Sequence, residues 1–319
     1  MLKIENLSLE FKVGNNFYKA LDNLSFEIKE NEFIGLVGES GSGKSVTALT
    51  ILSLLPSNAI VRSGSITWQG QDLLKLSNQQ MRLIRGKEIG LIFQNPLTSL
   101  NPVYSIGNQL IETIRLHEKV NKKIAKEIAI DLLNKVNIQD PEKKLRYYPH
   151  QFSLGMCQRI MIAITLAMKP KLLIADEPTA SLDVTIQAQI LDLLAKIKEE
   201  YKMAILFISH DLGIIAQNCE KVLIMYLGQL MEKASVSEIF HKPQHPYTQA
   251  LINAIPNPNP SIKNKTNLKL AEIPVSANII GCKFNNRCPA AFEKCFKETP
   301  QLITRNNLEV ACFLSQQNS

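Results

Sequence analysis

Short runs of alternating apolar and polar residues open the chain and then give way to helical periods. LKIENLSLEF, ALDNLSFEI and FIGLVGES are rich in β-forming residues and are parted by Asn, Gly or Lys-Glu turns, which predicts strands. A strand-turn-helix unit follows, its helix carried by VTALTILSLL. From about Pro96 to Leu166 the spacing changes. IGNQLIETIRL and AKEIAIDLLNKV place apolar residues at intervals of three and four, which predicts an inserted helical subdomain. KLLIADEP and AILFISHD return as continuous apolar runs ending in acidic residues or histidine, with the helical run TIQAQILDLLAKIKEEY between them. Unbroken apolar runs of this kind suit buried parallel strands whose polar groups gather at the carboxyl ends.

The expected fold class is therefore α/β. A parallel-sheet domain over residues 1–243 begins with an antiparallel β portion and holds a helical subdomain at about 96–166. Over 244–319 the chain turns rich in Pro, Asn and Lys through NPNPSIKNKTN, which predicts a linker or loop into a small appendage containing four cysteines. No internal repeat is present.

With 45% hydrophobic and 20% charged residues among 319, the composition is that of an ordinary folded protein and excludes disordered and fibrous classes. A net charge of +7 would suit nucleic acid, nucleotide phosphates or an anionic membrane face. The lysines are dispersed, with a modest cluster from Lys119 to Lys126, so a solvated face is the plainer expectation. The opening MLKIENLSLEFK lacks the apolar core of a signal peptide, and no run approaches the roughly 18–20 apolar residues that span a bilayer. A cytosolic setting is expected, where six cysteines would be thiols or metal ligands rather than disulfides.

Gly38, Glu39, Ser40, Gly41, Ser42, Gly43, Lys44 and Ser45 match the pattern G-x-x-x-x-G-K-[ST], between an apolar strand and a helix-compatible run. Glycines in such a loop let backbone N–H groups turn toward nucleotide phosphates, and the helix directs its positive end at them. Lys44 would neutralise the β/γ phosphates, and Ser45 would offer its hydroxyl to magnesium. In LLIADEP the strand delivers Asp176 toward the magnesium and Glu177 to where it can polarise an attacking water. A capping acidic pair is the plainer alternative. His210, followed by Asp211 at the end of the next apolar run, is a candidate for contacting the γ-phosphate; a structural histidine is its alternative.

These motifs would also fit kinases, helicases or GTPases. Four further segments narrow the class: FQNP around Gln94, FSLGMCQR from Phe152 to Arg159, SLD from Ser181 to Asp183, and SHD from Ser209 to Asp211. In order and type they resemble the Q-loop, signature, D-loop and H-switch of ATP-binding-cassette (ABC) proteins. The resemblance implies an ABC-type phosphate-loop ATPase that works as a sandwich, each ATP lying between one phosphate loop and the partner's signature. It implies Glu177 as general base, His210 as switch, and Gln94 touching magnesium or water. Asp183 falls in the D-loop, and Ser153, Gly155 and Gln158 face the partner's ATP. Phe11 matches the aromatic that stacks on adenine, with Phe17 and Tyr18 close enough to compete and core packing as an alternative for Phe11.

One position departs from the family. The signature ordinarily carries two glycines after its serine, whereas this chain has Ser153, Leu154, Gly155. Leu154 is expected to restrict the backbone and crowd the partner's phosphate, which would give an asymmetric heterodimer with one weak site. A regulatory cassette of low activity is the extreme form of that expectation.

FQNPLTSLNPVYSIGNQLIE and the later HPYTQALINAIP, His245 to Pro256, resemble the dipeptide/oligopeptide importer group, including its nickel-carrying relatives. The resemblance implies a motor subunit at the cytoplasmic face of the membrane, coupling ATP hydrolysis to solute uptake. Its partners would be permease subunits and a second cassette ATPase, with a homodimer possible, and indirectly a substrate-binding protein, with no nucleic acid. Peptides are the expected cargo, nickel or another small solute the alternative. In the tail, Cys282, Cys288, Cys295 and Cys312 form C-x5-C-P-x5-C-x16-C. Four thiolates can hold zinc or an iron–sulfur cluster. The absence of a close C-x2-C pair, with the resemblance to importer ATPases whose tails carry [4Fe-4S], favours the cluster; zinc, free thiols or a disulfide are the alternatives.

Overall fold

The computed structural model describes residues 1–255, 279–305 and 308–317; the NPNPSIKNKTN stretch lies outside them. The chain divides into two compact units, one built from Met1–Ile28, Phe33–Lys75 and Phe207–Ser319, the other from Lys29–Glu32 and Leu76–Leu206. The cysteine-bearing segment beyond residue 243 thus belongs to the same unit as the phosphate loop.

In the first unit, Leu2–Val13 pairs antiparallel with Asn16–Ile28 on one side and with Ala59–Trp68 on the other. Alternation drives this sheet: Leu2, Ile4, Leu7, Leu9, Leu21, Leu24, Phe26 and Ile28 are buried, while the intervening polar residues face out. A second layer places Phe33–Val37 parallel to Lys221–Tyr226. It continues antiparallel through Gln229–Ser235 to the tail strand Leu308–Val310. Phe33–Val37 is buried at every position, as an unbroken apolar run requires. Gly35 is needed there because a β-carbon would come within 2.6 Å of the Ile215 side chain.

The second unit carries the expected helices. Ser105, Asn121, Ser153 and Asp183 cap Ile106–His117, Lys122–Lys135, Leu154–Leu166 and Val184–Tyr201, each side chain accepting from the backbone N–H three residues on. Ile106, Leu110 and Ile114 bury one stripe of the first helix and Ala125, Ala129, Leu132 and Leu133 one stripe of the second. The parallel strands Ile89–Ile92 and Leu172–Asp176 complete the unit. It also begins earlier than the helical periodicity suggests, with Asn78–Ile84 started by a reciprocal capping box between Ser77 and Gln80. Among the described residues, no helix is long and apolar enough to cross a membrane.

Candidate nucleotide site

The phosphate loop connects the buried strand Phe33–Val37 to the helix Lys44–Ile51. Two glycines make its path possible. A β-carbon on Gly38 would lie 2.1 Å from the Met225 carbonyl oxygen, and Gly43 caps the helix at φ +101°, a conformation L side chains rarely adopt. Lys44 is buried and its Nζ donates to the carbonyl oxygens of Gly38 at 2.8 Å and Glu39 at 3.0 Å. The lysine is thereby folded across the loop it belongs to. Ser40, Gly41 and Ser45 are exposed along the same loop, whereas Ser42 is buried and its hydroxyl has no hydrogen-bond partner. An orphaned hydroxyl in a loop whose backbone is already turned inward fits a bound anion.

His210 also lies in this unit, exposed between the buried strand Ala204–Ser209 and the helix Leu212–Asn218. Asp211 has a structural task, since its carboxylate accepts from Gly213 and Ile214 N–H and caps that helix. Of the three aromatics near the N-terminus, Phe11 and Tyr18 are cross-strand partners and both half-buried. Phe17 is their neighbour on the opposite face, exposed, with the Arg62 guanidinium 4.7 Å over its ring.

In the second unit the strand Leu172–Asp176 ends in Asp176, and Glu177 follows at φ 45° in the left-handed region. A non-glycine residue pays for that conformation, and such strain gathers where a side chain must be aimed. Gln94, two residues beyond the strand Ile89–Ile92, donates its Nε2 to Glu177 Oε2 at 3.0 Å. Gln94 and Glu177 are therefore in direct contact.

The signature begins the helix Leu154–Leu166. Ser153 is its N-cap and accepts from Met156 N–H, while Leu154 occupies the first helical position. That position is open to any L residue, so the expected backbone restriction at Leu154 does not arise; its half-buried side chain lines a cleft with Ser181 and Asp183. Gly155 is the residue that must be small, because a β-carbon there would meet Ile186 Cγ2 at 2.8 Å. Asp183 caps the helix Val184–Tyr201 through Ile186 N–H. Gln158 corrects an expectation: it is 1% exposed, so its amide is enclosed in the unit rather than presented to a partner's nucleotide.

The four tail cysteines converge. Cys282, Cys288, Cys295 and Cys312 line one small cavity together with His245 and Asn285. All four are free thiols, and burial pushes Cys282 up to about 11. Two further residues at this cavity each hold an orphaned buried atom, His245 Nε2 and Asn285 Oδ1. His245 Nδ1 accepts from Tyr247 N–H at 3.0 Å, so the ring proton resides on Nε2. Even so, among the described residues no group of three or more His, Cys, Asp or Glu is arranged to hold a metal ion.

Sequence reasoning missed the residues that tie this tail to the phosphate loop. The Arg287 guanidinium grips the Glu39 carboxylate with both terminal nitrogens at 2.8 and 2.9 Å. Tyr247 Oη accepts from Glu39 N–H at 3.1 Å. No spacing rule joins residues so far apart in sequence. The only local hint is that an acidic residue stands in a loop built for anions.

A glycine-built loop between a buried strand and a helix, with its own lysine folded across it, defines the class of phosphate-loop nucleotide-binding proteins. Comparison with known proteins carries this further. Residues 21–180 match the model of the ABC transporter family, and residues 231–295 match that of the oligopeptide/dipeptide transporter C-terminal region. The chain is 45% identical over 308 residues to a probable peptide ABC transporter ATP-binding protein, y4tR, of Sinorhizobium fredii, covering 95% of this chain and 91% of that one. It is 44% identical over 310 residues to the dipeptide transport ATP-binding protein DppD of Escherichia coli, covering 95% and 92%. With the oligopeptide transport ATP-binding protein AppD of Bacillus subtilis it shares 42% over 320 residues, covering 99% and 97%. Among solved structures, the dimeric ATP-binding cassette MJ0796 in a post-hydrolysis state bound to ADP and Pi superposes at TM-score 0.67 and 26% identity, over 74% of this chain and 99% of that one. The chain belongs to the ABC transporter family, among its ATP-binding, ATP-hydrolysing subunits.

Proposed function

We propose that this chain is the ATP-hydrolysing motor of a peptide importer, working at the cytoplasmic face of the membrane beneath permease subunits and paired with a second cassette. The observation that carries the hydrolytic part is the Gln94–Glu177 contact, because it places an amide on a carboxylate already held by its backbone at a strand end. Lys44 and the loop N–H groups take the charge of the β and γ phosphates, and Glu177 accepts the proton of the attacking water. His210 holds that water against the γ-phosphate. Ser45, Asp176 and Gln94 are oxygen donors of the kind magnesium prefers and would hold the ion, which would supply positive charge against the charge that develops during transfer. Phe11 supplies the adenine stack, with Phe17 and Tyr18 as its alternatives. The relatives named for dipeptide and oligopeptide transport support the peptide cargo. The test is ATP hydrolysis by the chain assembled with its partners: Glu177→Gln retains ATP binding and loses turnover, whereas turnover that survives the substitution contradicts the assignment.

Ser153 and Gly155 face the partner's nucleotide in this reading, and the Leu154 side chain, which lines the same cleft, crowds the phosphate and weakens the site they help to form. Leu154→Gly should then raise turnover of the assembly, and equal hydrolysis at both sites of the wild-type pair would contradict the asymmetry. For the tail, we propose that Cys282, Cys288, Cys295 and Cys312 hold a [4Fe-4S] cluster, with zinc as the alternative. The donor chemistry supports this: four thiols line one cavity beside two orphaned polar atoms, and thiols are the donors that zinc and iron–sulfur centres take. Iron, sulfide and zinc analysis of the anaerobically purified chain decides between them.

A further inference from the structure

Glu39 is held at three points. Its backbone oxygen receives Lys44 Nζ, its N–H donates to Tyr247 Oη, and its carboxylate receives the fork of Arg287. Glu39 stands second in the phosphate loop, so whatever fixes it fixes the N–H groups on either side. Arg287 is itself tightly placed. Its side chain is 8% exposed, Nη1 also donates to Tyr226 Oη at 3.0 Å, and the guanidinium lies over the rings of Tyr226 and Phe284. Those rings pack with Tyr247 as a buried aromatic cluster, the Tyr226 and Tyr247 centroids being 4.7 Å apart.

The backbone that carries Arg287 is the one that carries the thiols. Arg287 immediately precedes Cys288 in the short turn Asn285–Arg287. That turn is pinned by Asn285 Nδ2 donating to the carbonyl oxygens of Ile280 and Cys295, and by Cys282 N–H donating to Cys295 O at 2.8 Å. Tyr247 is likewise anchored, since the buried Glu232 carboxylate accepts from the N–H groups of Gln244 and His245 just before it. A bidentate guanidinium–carboxylate pair fixes direction as well as distance, which a single flexible cation does not.

We propose that Arg287 and Tyr247 are positioning residues for the phosphate loop, clamping Glu39 so that the integrity of the four-thiol centre sets the affinity of the chain for ATP. The proposal rests on the reading that Gly38–Ser45 binds ATP and that the thiols hold a metal centre. Emptying that centre would free the turn bearing Arg287, release the Glu39 carboxylate, and leave the loop N–H groups to be ordered by the nucleotide itself at the expense of affinity.

The test is equilibrium binding of ATP with magnesium to the full-length purified chain and its variants, with iron and zinc measured on each sample. Arg287→Gln and Glu39→Gln should each weaken ATP binding roughly tenfold, within the usual range for linked sites. The double variant should be no weaker than the worse single one, and Arg287→Lys should recover part of the loss. In the assembled transporter the same substitutions should raise KM for ATP more than they lower kcat. Metal content should stay at the wild-type level in Arg287→Gln, while Cys288→Ser should lose metal and weaken ATP binding to a similar degree. Wild-type affinity in both Arg287→Gln and Glu39→Gln, or strictly additive losses, would overturn the clamp. Loss of metal from Cys288→Ser with ATP affinity intact would overturn its link to the thiols. A wild-type chain that holds no metal would refute the thiol reading and that link, while the Arg287/Glu39 cycle still decides the clamp. A wild-type chain that does not bind ATP would refute the phosphate-loop reading and the clamp together.

Discussion

Replacing Glu177 by glycine and, separately, by alanine isolates the backbone strain beneath the proposed catalytic carboxylate. Both substitutions remove the carboxylate and with it the hydrogen bond from Gln94, so they differ only in the β-carbon carried at φ 45°. An L residue in the left-handed region costs about 1–2 kcal/mol. The greater freedom of glycine in the unfolded chain returns about 0.4–1 kcal/mol of that. The glycine variant should therefore be the more stable by about 1 kcal/mol, or roughly 4 °C in unfolding midpoint for a unit that joins Lys29–Glu32 to Leu76–Leu206. Thermal unfolding of the two purified variants, followed by circular dichroism side by side, reads the difference directly. Neither should hydrolyse ATP. An alanine variant as stable as the glycine one, or more so, would mean that the strain is not there and that Glu177 is not held by its backbone.

Two other outcomes follow from buried contacts. Gly155→Ala should destabilise the chain by about 1–3 kcal/mol, the cost of forcing a β-carbon against Ile186, and Ile186→Ala should relieve it; denaturant midpoints of the three variants check this. His245 is 1% exposed, and burial pushes it from 6.5 down to about 3. Below pH 6.5 the unfolded chain therefore binds a proton that the folded chain refuses, and stability is lost as pH falls toward 3. The slope attributable to this residue is at most about 1.4 kcal/mol per pH unit, and His245→Gln should flatten the difference in urea midpoint between pH 7 and pH 5.5, roughly the upper part of that window.

Much of this was legible in the sequence because local rules decided it. Alternation made the first sheet, unbroken apolar runs made Phe33–Val37 and Leu172–Asp176, and the glycine pattern made the phosphate loop. The helix Asn78–Ile84 could have been seen as well, since Ser77 and Gln80 form a capping box, but its apolar stripe is too short to announce itself by period. What escaped is long-range. Arg287 reaches Glu39 across 248 positions, and only the folded tail brings them together. The strain at Glu177 is equally invisible, because Glu-Pro-Thr carries none of the glycine that ordinarily marks a left-handed turn. Leu154 shows the reverse error: a missing glycine suggested a constrained backbone, whereas the site is a first helical turn and the demand for smallness falls on Gly155, against Ile186.

The most direct test of the central claim is ATP-driven peptide uptake into proteoliposomes bearing the transporter assembled with this chain, wild type against Glu177→Gln, with ATP binding measured on the same preparations. The account predicts that the variant binds ATP as the wild type does and imports no peptide. Peptide uptake at the wild-type rate by the Glu177→Gln assembly would contradict it.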